Sequence, residues 1–255
     1  MILAIDAGNT NIVVGCIDNE KIFFVERIAT ENNKTELQYL IDFKTILEIH
    51  SIPFSELDGA ILSSVVPHIN NVMIKAVEKL LGITPIIVGP GVKTGLNIFM
   101  DNPAQVGSDL IVNAVAGLKY YGAPLVIIDM GTATTISVLD EKKSYVGGVI
   151  IPGVMVSLNA LVERTSQLPD IAVTAPRKVV GKNTIDSMKS GIVFSQASAL
   201  DGMIDRIWEE LEYKTAVVAT GGMAGAVIPH CHHEIIPDNE LTLKGLSLLY
   251  YKNRT

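Results

Sequence analysis

Two short turns that combine an aspartate with glycine and threonine are the segments of this chain best suited to chemistry. Residues 6–10 read Asp-Ala-Gly-Asn-Thr and residues 129–135 read Asp-Met-Gly-Thr-Ala-Thr-Thr, each after an apolar strand. Because glycine lets the backbone turn tightly, successive N–H groups and hydroxyls can converge on an anion such as a phosphate. An aspartate at the strand end can hold a cation against that anion. The two turns therefore predict phosphate-binding hairpins.

The residues of each hairpin leave an ordinary alternative open. In the first, Asp6 is placed to bind Mg²⁺ directly or through water, but a plain hairpin turn also favours Asp, Gly and Asn. In the second, three threonine hydroxyls exceed what a hairpin needs, although threonine also favours strands. The residues of the predicted phosphate sites are Asp6, Ala7, Gly8, Asn9, Thr10, Asn11, Ile12 and Val13 in the first hairpin, and Gly131 and Thr132 in the second.

The elements predicted around the two hairpins repeat along the chain. Three strands are predicted at 2–5, 12–17 and 21–27, and the same meander begins again after Gly122 at 125–128, 134–139 and 145–150. Helical spacing of apolar residues predicts helices at 35–49, 70–81, 103–121, 154–163 and 184–211. The two aspartates lie 129 minus 6, or 123, residues apart. This pattern predicts an α/β fold of two similar domains, 1–121 and 122–255.

Composition excludes several classes of protein. The net charge of −7 is unsuited to a surface that neutralises a polyanionic backbone, so a nucleic-acid partner is not expected. Residues 1–6 lack a basic start and a long apolar run, and the other apolar stretches are broken by Gly or Pro, so neither a secretory signal nor a membrane span is expected. Two cysteines are too few for a disulfide framework, which favours a reducing compartment and a cytoplasmic location.

The motifs taken together resemble a known family. Paired Asp-x-Gly hairpins on two similar halves resemble the superfamily of actin, sugar kinases and heat-shock chaperones, in which two tandem ribonuclease-H-like domains hold ATP in the interdomain cleft. Within it, five segments in this order look like type III pantothenate kinase, and the match runs nearly the whole chain. They are residues 6–11, Gly107-Ser108-Asp109, residues 129–135, residues 147–153 and Thr220-Gly221-Gly222.

The resemblance implies a function that composition does not. It implies ATP-dependent phosphorylation of pantothenate, the first step toward coenzyme A, by a homodimer that needs Mg²⁺ and a monovalent cation, K⁺ or NH₄⁺. It also implies that Asp109 is the general base, that Asp129 binds the monovalent cation and that Thr132 contacts ATP. Gly221 and Gly222 would let the adenine approach the backbone, or they form a tight strand-to-helix turn. The substrate-binding positions that it implies are Met100, Gly107, Ser108, Asp109, Leu110 and Thr184.

The residues alone leave another explanation open at two of these positions, and two others depart from the family pattern. Asp109 is expected in the first turns of a helix after Pro103, where the helix dipole favours an ionised carboxylate, so it is also explained as a helix-start charge. Thr184 is equally explained as a helix N-cap. Leu110 stands where the family often has Arg, and Met100 where it often has an aromatic residue.

These departures keep a second function in view. The rival hypothesis is a nucleotide-binding regulatory protein of the same fold that has lost the kinase reaction, and a third is a kinase for another small alcohol.

The run His230-Cys231-His232-His233 offers four metal-ligating side chains, but contiguous residues cannot all surround one tetrahedral ion. We interpret this run as a loop.

Overall fold

A computed structural model describes residues 1–254 of the chain as a mixed α/β protein. The strands are β1 (Ile2–Ala7), β2 (Asn11–Asp18), β3 (Lys21–Ala29), β4 (Gly59–Ser64), β5 (Ile86–Ile87), β6 (Asn97–Ile98), β7 (Leu125–Met130), β8 (Ala133–Leu139), β9 (Ser144–Pro152), β10 (Ala216–Thr220) and β11 (Ile236–Pro237). The helices are α1 (Glu36–Ile49), α2 (Pro67–Leu81), α3 (Ser108–Tyr120), α4 (Val154–Glu163), α5 (Thr184–Leu211), α6 (Ala224–Val227) and α7 (Leu241–Asn253). The predicted α/β class is confirmed.

The described residues form two compact units, each built on its own sheet. The first unit contains residues 1–96, 101–119 and 240–254, and its sheet has the strand order β3-β2-β1-β4-β5. The second contains residues 97–100 and 120–239, and its sheet has the order β11-β10-β7-β8-β9-β6. Read from the opposite end and without its edge strand β6, the second sheet repeats the first, since β9-β8-β7-β10-β11 corresponds to β3-β2-β1-β4-β5. The predicted repeat of the meander is therefore present in the strand order.

Alternation along β1 assigns its side chains to two faces of the first sheet. Leu3 and Ile5 belong to the core cluster shared with α1 and α2, whereas Ile2 and Ala4 belong to the cluster shared with α3 and α7. Successive side chains of a strand point to opposite faces, so Asp6 lies on the face of Ile2 and Ala4. The acidic end of β1 is thus on the side of the sheet that α3 covers.

The structure adds detail that the sequence pattern did not predict. The helix predicted at 103–121 is a 3₁₀ turn at Pro103–Gln105 followed, after a break, by α3 from Ser108. The short strand β6 was not predicted, because two residues carry no alternation to detect. Helix α7 belongs to the first unit, although it follows the second along the chain, because Leu246 and Leu249 pack in the core cluster that contains Ile2. The ranges 1–121 and 122–255 stay a prediction of domain limits.

A helix that crosses a bilayer must be both long and apolar, and the described helices differ from that pattern. None of them between residues 1 and 254 combines the length and the apolar character that a membrane crossing needs.

Candidate functional site

The first hairpin follows β1 at the edge of the sheet where β4 also ends. These strands are parallel, with Asp6 opposite Ser63 and Ala7 opposite Ser64 in register. In open α/β sheets the carboxyl ends of parallel strands are where ligands bind. Asp6 therefore lies at the edge of the first unit that is best suited to a ligand.

The loop after Asp6 is held by backbone contacts and by Thr30, which directly follows β3. The N–H of Gly8 donates to the carbonyl of Asn11 at 3.0 Å, which closes the turn. Thr30 donates twice, from its Oγ1 to the Gly8 carbonyl at 2.7 Å and from its N–H to the Thr10 carbonyl at 3.0 Å. Sequence reasoning missed Thr30, since no local motif marks a residue that acts on a loop 20 residues earlier.

The predicted phosphate-binding residues of this hairpin differ in their exposure. Asn9, Thr10 and Asn11 are exposed at the tip, as a loop that receives a ligand requires. Ile12 is fully buried in the core cluster, so only its backbone could reach a ligand. Val13 is half-buried in β2.

The first turn of α3 is tied to the same edge of the sheet by two serine hydroxyls. Ser63 Oγ donates to Ser108 Oγ at 3.1 Å, and Ser108 Oγ donates to the Ser64 carbonyl at 3.1 Å. Since Ser63 neighbours Asp6 in register, these bonds bring the start of α3 close to the end of β1. The predicted residues 107–110 thus lie beside the first hairpin within one unit.

Asp109 is the second residue of α3, and its carboxyl group is half-buried. Its Oδ1 accepts a hydrogen bond from the N–H of Leu110 at 2.9 Å, a bond that does not use Oδ2. A Cβ on Gly107 would lie 2.4 Å from Oδ1, so glycine is what allows the carboxylate to fold back over the chain. Burial raises the pKa of Asp109, while the N–H groups of Leu110 and Asp109 partly oppose this rise. A carboxylate of raised pKa is a stronger base than an exposed one.

The second hairpin follows β7 in the second unit. Asp129 is half-buried and lies opposite Thr220 of the parallel strand β10, as Asp6 lies opposite Ser63. Gly131 and Thr132 are exposed at the tip. Thr134 is fully buried, and its Oγ1 has no hydrogen-bond partner in the described structure. Of these two threonines, the one at the tip is the better placed to meet a ligand.

Two glycines pack directly against this hairpin. A Cβ on Gly153 would lie 2.2 Å from the carbonyl oxygen of Thr132, and a Cβ on Gly221 would lie 2.5 Å from the backbone nitrogen of Met130 and 2.7 Å from Asp129 Oδ1. Gly221 also has a φ of +96°, which residues with a side chain rarely adopt. Gly221 therefore packs closely against the Asp129 hairpin, and Gly222 is exposed beside it, while the approach of the adenine to these glycines stays a prediction.

Met100 and Thr184 both belong to the second unit. Met100 is 38% exposed and follows β6 at the edge of the second sheet. Thr184 lines an open groove of about 690 Å³ between the end of α4 and the start of α5. The N-cap of α5 is Asn183, whose side chain accepts a hydrogen bond from the N–H of Asp186 at 2.8 Å. The N-cap explanation of Thr184 is therefore wrong. The side chain of Thr184 is exposed.

Metal binding by the protein alone finds no support in the described part of the chain. No group of three or more His, Cys, Asp or Glu side chains within residues 1–254 could surround an ion. Mg²⁺ is commonly bound by one or two carboxylates together with water and substrate phosphates, an arrangement that a single Asp6 beside an exposed loop fits. His230 ends a 3₁₀ turn that begins at Ile228, and the next three residues form a loop in which Asp201 accepts the N–H groups of His232 and His233.

Known proteins of one family are similar to this chain over nearly all of its length. The family model described as type III pantothenate kinase matches residues 2–206. Type III pantothenate kinases of Halalkalibacterium halodurans and Bacillus cytotoxicus are 46% and 45% identical to this chain over 253 residues, which is 99% of it and 100% and 97% of them.

A solved structure shares the fold at low identity. The activator of the 2-hydroxyisocaproyl-CoA dehydratase from Clostridium difficile, determined with bound ADPNP, aligns with a TM-score of 0.56 and 14% identity over 99% of this chain and 94% of that one. That likeness concerns the fold alone. The family match and the full-length identity to two relatives show that this chain belongs to the type III pantothenate kinase family.

Proposed function

We propose that this chain transfers the γ-phosphoryl group of ATP to the hydroxyl of pantothenate, giving 4'-phosphopantothenate in the first step of coenzyme A biosynthesis. Membership of the type III pantothenate kinase family supports the reaction. The observation that carries the assignment of the site is Asp109, a half-buried carboxylate of raised pKa beside the Asp6 hairpin.

Asp109 is proposed to act as the general base. Its carboxylate accepts the proton of the pantothenate hydroxyl as the hydroxyl oxygen forms a bond to the γ-phosphorus. The bond between the γ-phosphorus and the oxygen that bridges to the β-phosphate breaks, and ADP leaves with that electron pair. The bond from Leu110 N–H holds Oδ1, so Oδ2 is the oxygen proposed to face the substrate.

The hairpins are proposed to bind the phosphates of ATP. Asn9, Thr10 and Thr132 are exposed at the tips of the hairpins and carry the backbone N–H and polar side-chain groups that bind phosphate oxygens. Mg²⁺ bound at Asp6, when present, supplies neutralisation of phosphate charge, and K⁺ or NH₄⁺ is proposed at Asp129. Gly221 and Gly222 are proposed to lie near the adenine.

Pantothenate is proposed to contact the positions that the family uses. These are Met100, Gly107, Ser108, Asp109, Leu110 and Thr184. Since Leu110 has no charge to pair with the substrate carboxylate, we propose that backbone N–H groups and other side chains bind it. The exposed hydroxyl of Thr184 is one such group.

We also propose that the protein forms a homodimer and is located in the cytoplasm. Several large apolar side chains of the second unit are exposed, among them Ile150 at 74%, Val179 at 66% and Val180 at 80%. A second copy of the chain would bury such side chains. Sedimentation equilibrium tests this, and a single species of monomer mass would contradict it. Two unpaired cysteines support a reducing compartment.

A coupled assay of ADP release, with and without pantothenate, tests the reaction. We expect release that depends on pantothenate and requires Mg²⁺, and faster release with K⁺ than with Na⁺. A regulatory protein of the same fold would bind ATP but release no ADP on addition of pantothenate. A kinase for another alcohol would respond in a screen of small alcohols but not to pantothenate.

Replacing Thr30 by Val is expected to weaken ATP binding about two- to tenfold, because it removes one hydrogen bond that contributes about 0.5–1.5 kcal/mol. The change removes the bond from Oγ1 to the Gly8 carbonyl but keeps the shape of the side chain. Titration calorimetry with ATP measures the effect. Thr30→Ser keeps the hydroxyl and serves as the control, and equal ATP affinity of the Val and Ser variants would show that the bond does not order the loop.

A further inference from the structure

The hydroxyl groups of Ser63 and Ser108 form a hydrogen-bonded chain between β4 and α3, and one of them is fully buried. Ser63 is fully buried on a strand whose neighbours Ile61 and Leu62 are core residues. A buried hydroxyl costs free energy unless it is hydrogen-bonded, and its bond to Ser108 Oγ at 3.1 Å supplies the partner. An alanine would fill the same place on the strand without that cost. The serine therefore calls for an explanation other than packing.

The chain ends at the turn that carries Asp109. Ser108 accepts from Ser63 and donates to the Ser64 carbonyl, so its hydroxyl is bonded on both sides to the end of β4. Asp109 follows immediately, and its Oδ1 is fixed within the same turn by Leu110 N–H. Hydrogen bonds therefore hold both the first turn of α3 and the Asp109 carboxylate in place.

We propose that Ser63 and Ser108 are positioning residues, whose hydroxyl chain sets the place of the Asp109 carboxylate relative to the end of β1. This inference rests on the proposed function, in which Asp109 is the base. It differs from a direct role of the Ser108 hydroxyl in substrate binding, because it requires Ser63, which is fully buried, to act through the same turn.

The two serines make a double-mutant cycle informative. Ser108→Ala leaves the buried Ser63 hydroxyl without its partner, so we expect a lower melting temperature together with a roughly tenfold fall in kcat, as a small displacement of a base causes. The double variant Ser63→Ala/Ser108→Ala removes the unpaired hydroxyl and should recover most of the stability. Its kcat should remain as low as that of Ser108→Ala, because the turn is still untied.

Two further variants separate positioning from stability. Ser108→Thr keeps a hydroxyl and should restore kcat, whereas the affinity for ATP should stay within about twofold of wild type in every variant. Ser247→Ala is the matched control, since Ser247 is also a buried serine of the first unit, donating to the Asn19 carbonyl at 2.7 Å. It should lose stability without losing kcat.

Steady-state kinetics and thermal unfolding of these variants decide the question. Recovery of kcat together with stability in the double variant would overturn the proposal. An unchanged kcat for either single variant would also overturn it, because the proposal requires both Ser63 and Ser108. Asp109→Asn in the same assay distinguishes this failure from that of the proposed function, because full activity of that variant removes Asp109 as the base whatever the serines do.

Discussion

Replacing Asp109 by Asn is expected to lower kcat with pantothenate by roughly 10²–10⁴-fold, the contribution typical of a general base. Asparagine keeps the shape of the side chain and can still accept the N–H of Leu110 through its oxygen, but it cannot accept a proton. ATP affinity should change little. The coupled assay measures kcat, and a variant with more than about a tenth of wild-type activity would remove Asp109 from the mechanism.

The same substitution, which lowers kcat, is expected to leave the stability of the fold unchanged or to raise it. Burial raises the pKa of Asp109 above its ordinary value of 3.8, so ionisation weakens the folded state. This cost is absent below the unfolded pKa and is fully present above the folded pKa. Asp109→Asn should therefore melt at the same or a higher temperature than wild type at pH 7, and the difference should shrink as the pH falls toward 4. A variant that melts lower at pH 7 would contradict this account of the burial.

Replacing Gly221 by Ala is expected to cost about 2–5 kcal/mol of the free energy of unfolding. The left-handed backbone accounts for about 1–2 kcal/mol, and overpacking accounts for about 1–3 kcal/mol. The new methyl group would meet the backbone of Met130 at 2.5 Å, and a backbone cannot rotate away as a flexible side chain can. Since Asp129 Oδ1 lies 2.7 Å from the same point, the carboxylate should also move. Urea unfolding measures the loss.

Gly225 provides a matched control for that substitution. It lies four residues later in α6, and a Cβ there would meet no atom within 4 Å. Gly225→Ala should change the free energy of unfolding by no more than about 0.5 kcal/mol. If the two variants were equally stable, the contact between Gly221 and the hairpin would not be a constraint on the fold.

The sequence predicts the two hairpins and the repeated meander because both rest on local patterns. An apolar run followed by Asp-x-Gly needs only a few residues to be recognised, and the strands around it alternate visibly. Helix α5, which has a long run of apolar residues at helical spacing, begins at the predicted residue. The predicted start of α3 is wrong for a physical reason: Pro103–Gln105 form a separate 3₁₀ turn, and the helix begins only at Ser108.

The residues that the sequence does not reveal act over long separations. Ser63 and Ser108 bond across 45 residues, and Thr30 holds a loop through the carbonyl of Gly8, 22 residues earlier. Serine and threonine are common in strands and turns, so neither type nor local spacing distinguishes these positions. Only the parallel pairing of β1 with β4 brings Ser63 beside Asp6.

The return of α7 to the first unit affects how that unit can be completed during protein synthesis. The face of the first sheet that carries Ile2 and Ala4 is covered by Leu246 and Leu249, and Lys252 and Asn253 bond to the carbonyls of Thr94 and Lys93. Until residues 240–254 have left the ribosome, the part of that face that α7 covers stays open to water or to a chaperone. The first strands to emerge therefore acquire their full core only after residues 240–254, which follow the whole second unit along the chain, have been added.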